Sequence, residues 1–548
     1  MLAKCFFSLV ICSAASQSAA ISSSFIEMPI VDLGYELHQA LRYNETTDIY
    51  TFSNIRYARQ PIGDLRFRAP LPPLENRTVV QNGTGTRVCP QGIPEWQEKA
   101  SQAIAQFSNS TVPFNLTKWE ETLGKANAAG VNVNAVSSED CLFLDVHVPG
   151  QFFRNRGKSS NFEVPVLVEI HGGGYVLGSK TGYPNGNFDP TGLLQHGNEG
   201  FIYVALNYRL GALGFLAGPL VQEDGALNAG ILDQKLALEW VQKNIHLFGG
   251  SPRRVTVIGE SGGGGSILVH LTQEKAPFAQ IISQSPAIVP TLYQPPDTFS
   301  EFMSILNVSG LSEARELSSD VIIAANAKQI GAAPANTYIF GPVQDDRTLP
   351  VPVLRALNER QLDQAVNVMV SHNSLEGGFF FDPNVRTEAD FQSWLFRSIP
   401  GLNNSQVDHL MRSLYPAAFD GSFGYIDQGT RQMSLWGEAV FDCNFLYMNK
   451  AKGGSSYAYE FSISPGLHTQ DLPYTFAGPV LYPEVRVTVQ QAIANFVVSG
   501  VPETFIDGSM KPFPQWDSTS TLVNLTSTGA RISTSRINET RCAWWAAL

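Results

Sequence analysis

The chain has 548 residues, of which 43% are hydrophobic and 16% charged, enough apolar material for a large buried core and too little charge for a disordered polymer. Its formal net charge of −12 is repelled by phosphate backbones and anionic lipid surfaces, so nucleic acid is not an expected partner. Length alone allows several domains, but no repeat or low-complexity linker divides the sequence, and residues 21–548 are expected to form one domain.

Residues 1–20 read as a signal peptide. Lys4 supplies the positive start, CFFSLVICSAA (5–15) is a short apolar run, and small residues follow to Ala20. That run is about half of the ~20 residues a membrane-spanning helix needs. The expectation is a secreted, extracellular chain with no transmembrane anchor. Nine N-x-S/T sequons are glycosylation candidates, at Asn44, Asn76, Asn82, Asn109, Asn115, Asn307, Asn403, Asn524 and Asn538. Removing the leader leaves Cys89, Cys141, Cys443 and Cys542, an even set that suggests two disulfides in an oxidising compartment, with three pairings open. Their spacing matches no zinc pattern, and neither a metal nor a cofactor is expected.

Further along, VPVLVEI (164–170) and FIYVALNY (201–208) read as buried strands. GILDQKLALEWVQKNI (230–245) has apolar residues at helical spacing, and VTVI (255–258) is a third strand. Residues 279–283, 366–370 and 457–461 continue the series. Strands alternating with helices imply an α/β fold, with a mostly parallel sheet covered on both faces.

Two glycine motifs stand at strand ends. VTVI runs into Gly259-Glu260-Ser261-Gly262-Gly263, the Gly-x-Ser-x-Gly elbow in which a sharp strand-to-helix turn exposes a serine hydroxyl. VPVLVEI runs into His171-Gly172-Gly173-Gly174-Tyr175, a loop whose bare glycines let backbone amides face a ligand. Amides of Gly173, Gly174 and Gly262 are therefore predicted to form an oxyanion hole, each worth roughly 3 to 4 kcal/mol of barrier. A serine on such an elbow is followed in the chain by an acid and then a histidine. Four histidines follow Ser261. His270 lies about 13 Å along the elbow helix at 1.5 Å per residue, His409 sits in an amphipathic helix, and His372 is four residues from the best acid candidate. His468, on a Pro- and Gly-punctuated loop after a strand, is the predicted base. Glu376 is the acid candidate, with Asp345, Asp346 and Asp382 as alternatives.

These residues resemble the type-B carboxylesterase/lipase family, cholinesterase-like members of the α/β-hydrolase superfamily, and its secreted fungal members in particular. The resemblance runs through RYARQPIGDLRFRAP (56–70), SEDCLFLDV (138–146), HGGGY, NYRLGALGFL (207–216), NAGILDQ (228–234), FGGSP (248–252) and the elbow. HNSLEGGFFF (372–381) resembles the family's acid segment and HTQDLPYTF (468–476) its histidine segment, which implies Glu376 and His468 as partners of Ser261. It further implies the pairs Cys89–Cys141 and Cys443–Cys542, a structural ion pair Arg66–Glu139, and long insertions over the active site. The family usually carries alanine where this chain has Gly262; the four consecutive glycines that begin there read as close packing or as room for a bulky acyl group. The loop between Cys89 and Cys141 is longer than in cholinesterases, and neither Trp96 nor Trp119 matches the choline-binding tryptophan. The implied activity is hydrolysis of a small-molecule or lipid ester through an acyl-enzyme. Open alternatives are a lidded triacylglycerol lipase, a fungal secondary-metabolite esterase and, from another class, a non-catalytic adhesion protein.

Overall fold

A computed structural model describes residues 28–548, except 86, 108–113, 127–132, 159–163, 183–187, 198, 199 and 274. The predicted leader and Asn109 lie outside the described residues. Seven parallel strands form the centre of a thirteen-stranded sheet among them. They are β1 (Val164–Ile170), β2 (Ile202–Leu206), β3 (Gly250–Glu260), β4 (Gln280–Gln284), β5 (Asn367–Asn373), β6 (Ser456–Phe461) and β7 (Thr521–Thr526). Their order is β2-β1-β3-β4-β5-β6-β7. Antiparallel strands flank β2 on one side and β7 on the other.

The period-2 alternation of buried strands explains the two cores. Val166, Val168 and Ile170 point into one apolar cluster, and Leu167 points into the other. The first cluster is closed by α3 (Ala229–Asn244) and α4 (Gly262–Leu271), the second by α5 (Pro483–Ser499). Two earlier helices, α1 (Glu95–Phe107) and α2 (Leu116–Lys125), belong to the insertion between Cys89 and Cys141.

Most predicted elements fall within a residue or two of the observed ones. β3 begins earlier, at Gly250, and β5 runs on to Asn373 because His372 and Asn373 still pair with Glu460 and Phe461 of β6. Polar residues that continue a ladder leave no hydrophobic signal, so this extension was not predicted. It carries β5 up to the acid segment.

Chain order places the site. From β1 the chain crosses to β2 on one side, then to β3 on the other. The carboxyl ends of β1 and β3 therefore adjoin at a topological switch point, where connections diverge and leave a crevice. The loop HGGGY leaves β1 there, and Ser261 leaves β3.

Both implied disulfides are present, Cys89–Cys141 and Cys443–Cys542, separated by 52 and 99 residues. Loops of that length correspond to roughly 4 and 5 kcal/mol in the chain-entropy account. Arg66 and Glu139 form a buried bidentate pair at 2.7 Å, and Arg66 Nη1 also donates to the carbonyls of Arg315 and Leu317. Trp119 is fully buried against Phe381 and Leu467, pinning the insertion to the two segments that bear the acid and the base. Removing so large a buried ring typically costs about 3 to 5 kcal/mol. Trp96 packs on Tyr338, Phe379 and Phe380 with ring centroids 5.4 to 6.1 Å apart. Both tryptophans serve packing, and neither lines the cavity beside Ser261.

Candidate active site

Ser261 is held at φ 58°, ψ −124°, outside the regions that side chains favour. Its N–H donates to the carbonyl of Gln284, and its own carbonyl accepts from Gly265 and Ala287. These bonds fix the strained turn and aim the hydroxyl away from the sheet. The following helix packs so tightly that a Cβ on Gly263 would lie 2.0 Å from the carbonyl oxygen of Ile170. Glycine there is a requirement of packing.

The loop after β1 turns at Gly173 (φ 107°) and Gly174 (φ 59°), conformations that favour glycine. A Cβ on Gly174 would stand 2.3 Å from the Tyr338 ring. Among the described residues, no hydrogen bond engages the N–H groups of Gly173, Gly174 or Gly262. A Cβ built on Gly262 would come within 3.5 Å of the Gly174 nitrogen, so the two backbone segments face each other across a short gap. The amide of Gly262 is also the first of α4, where the helix dipole adds positive potential.

His468 joins the remaining parts. Its Nε2 lies 2.8 Å from Ser261 Oγ, and its Nδ1 lies 2.6 Å from Glu376 Oε2. The other Glu376 oxygen accepts the N–H of Asn373 at 2.6 Å. With both carboxyl oxygens accepting, Nδ1 is the donor of the imidazole, and Nε2 is left to accept the serine proton. Phe380 and Phe441 pack on the ring at 5.3 and 4.4 Å and keep it dry. Asn373 also donates from Nδ2 to the carbonyl of Leu467, tying the acid segment to the base segment.

The alternatives are spent elsewhere. His270 faces Gln234 at 3.0 Å, His409 packs beside Trp544, and His372 stands 3.3 Å from Asp442. Asp345 accepts three backbone amides and the Asn228 side chain. Asp382 pairs with Arg397, and Asp346 is exposed. Sequence reasoning passed over two buried acids near the imidazole. Glu260 Oε1 lies 3.4 Å from His468 Nε2, and burial, with the charges of Asp471 and Glu376, pushes its carboxyl well above the ordinary range. Asp471 is raised to about 6 by burial and by Glu376. Their positions, inside the elbow motif and three residues after His468, were the only sequence signal.

Above Ser261 lies a cavity of about 80 Å³. Its walls include Ile288, Leu292, Phe340, Trp436 and Phe441, and no charged side chain lines it.

A parallel sheet whose switch point carries a serine on one strand end and a bare glycine loop on the next is the α/β-hydrolase architecture. Within it, the chain belongs to the carboxylesterase family, whose pattern matches residues 38–545, and it is accordingly a carboxylic ester hydrolase. It is 37% identical over 546 residues to carboxylesterase patB of Penicillium expansum, covering 95% of this chain and 96% of that protein. A secreted lipase of Arthroderma benhamiae is 31% identical over 68% of this chain and 74% of its own length. Among solved structures, Aspergillus niger EstA superposes with a TM-score of 0.74 at 25% identity, covering 95% of this chain and 98% of EstA.

Proposed function

We propose that the protein is a secreted serine esterase in which Ser261 is the nucleophile, His468 the general base and Glu376 the orienting acid. The observation that carries this reading is the unbroken chain from Ser261 Oγ to His468 to Glu376 at 2.8 and 2.6 Å. His468 takes the hydroxyl proton as Ser261 attacks the ester carbonyl, then returns it to the departing alcohol. Water attacks the acyl-enzyme in the second half, with His468 again as base. The N–H groups of Gly173, Gly174 and Gly262 receive the oxyanion of each tetrahedral intermediate. The cycle uses side chains, backbone amides and water alone.

Export is supported by the leader-like N-terminus and by the two disulfides. Of the sequons within the described residues, Asn44, Asn76, Asn82, Asn115, Asn307, Asn403 and Asn538 are exposed and suited to glycans. Asn524 is half-buried and donates to Glu460, so a glycan there requires that bond to break. The esterase reading is favoured over a triacylglycerol lipase by the small cavity at Ser261, while the likeness to a secreted lipase keeps the lipase as the second reading.

The test is Ser261→Ala. Hydrolysis of a soluble aryl ester should fall by on the order of 10⁶ with the fold unchanged by circular dichroism. Residual turnover within tenfold of the wild type would remove Ser261 from the mechanism.

A further inference from the structure

The cavity at Ser261 is closed on one side by a thin partition. Leu292, Tyr293, Gln294 and Val343 line it, and the same four residues line a second, surface cavity of about 600 Å³. They therefore stand between the two spaces.

This partition is held in place bond by bond. The Gln294 side chain accepts the N–H of Ala217 at 3.0 Å and donates to the carbonyl of Phe215 at 2.8 Å. Val343 is gripped through both its N–H and its carbonyl by the buried Asn228 side chain, each at 2.8 Å. The Leu292 carbonyl accepts from Gln344, linking the two segments. Leu292 itself is buried and adopts φ 48°, a left-handed conformation that costs a branched side chain free energy and persists only where surroundings impose it.

The inner space is small. At about 80 Å³ it is several-fold smaller than the outer space of about 600 Å³. The lining is apolar and uncharged, so an ionised group placed there would lose its hydration without a partner.

Resting on the serine-esterase reading, we infer that the Leu292–Gln294 and Val343 partition is the specificity determinant of this enzyme, restricting it to uncharged esters whose buried portion is short. Longer chains are excluded because the wall stops them before the outer chamber, which has the volume to receive them.

Leu292→Gly tests this directly, since glycine adopts φ 48° without strain and removes the side chain between the chambers. Val343→Ala, which shortens the wall from its other segment, is the second variant. The readout is the ratio of kcat/KM for p-nitrophenyl decanoate to that for p-nitrophenyl butyrate, per active site titrated with a fluorophosphonate. The wild type should favour butyrate, and the ratio should rise at least tenfold in one variant or both. A smaller change in both variants, or a wild type that prefers decanoate, would overturn the inference. Ser261→Ala separates the two readings. If it retains hydrolysis, the esterase site is misplaced; if it is inactive while the ratio stays fixed, only the partition fails.

Discussion

Glu260 Oε1 lies 3.4 Å from His468 Nε2, on the atom of the imidazole that also faces Ser261. Glu260 is the residue before the nucleophile, so the elbow that strains Ser261 also drives this carboxyl into the site. Burial beside Asp471 and Glu376 raises its carboxyl above the ordinary range and favours the neutral form. An amide is then a fair substitute for the acid. Glu260→Gln should cost less than about tenfold in kcat/KM at pH 7, or under ~1.4 kcal/mol. A loss of a thousandfold in steady-state assays would mean that the ionised form is used.

Asp471 makes stability depend on pH. Its folded pKa of about 6 lies above the ordinary 3.8, so the folded state binds this proton more tightly than the unfolded chain. The contribution is complete below about pH 3.8 and disappears as pH rises through about 6. A displacement of about two units is worth up to ~3 kcal/mol. Asp471→Asn should therefore gain stability relative to wild type between pH 4 and pH 7. Urea unfolding midpoints at the two pH values check this, and a pH-independent difference would contradict it.

The four glycines after Ser261 are not equivalent. Cβ atoms on Gly263, Gly264 and Gly265 would lie 2.0, 2.7 and 2.1 Å from backbone oxygens, all too close to fit without a shift, whereas one on Gly262 would meet nothing nearer than 3.5 Å. Close packing explains three of them, and Gly262 leaves room beside the oxyanion amides. Gly263→Ala should destabilise by more than about 1 to 3 kcal/mol, the usual range for overpacking. Gly262→Ala should fold with stability within about 1 kcal/mol of wild type. Thermal denaturation of the two variants side by side decides the matter.

Much of this was legible in the residues, for identifiable reasons. Both glycine motifs end short, mostly apolar, Val- and Ile-rich runs, the pattern of a parallel strand buried on both faces. His468 followed from chain order and its loop. The acid was harder: pattern alone left Asp345, Asp346 and Asp382 as rivals, and the resemblance of HNSLEGGFFF to the family's acid segment was what pointed to Glu376. Only the fold shows that Asp345 is consumed by backbone amides while Glu376 reaches the imidazole. The partition was invisible for a related reason. Asn228, the Leu292–Gln294 segment and Val343 lie far apart in the chain, and hydrogen bonds join them.

The most direct test of the account is to treat the wild-type protein with a fluorophosphonate and map the adduct by peptide mass spectrometry. A single adduct on Ser261 is expected, formed in step with the loss of ester hydrolysis. Full inactivation with Ser261 unlabelled, or full labelling of Ser261 with activity intact, would contradict it.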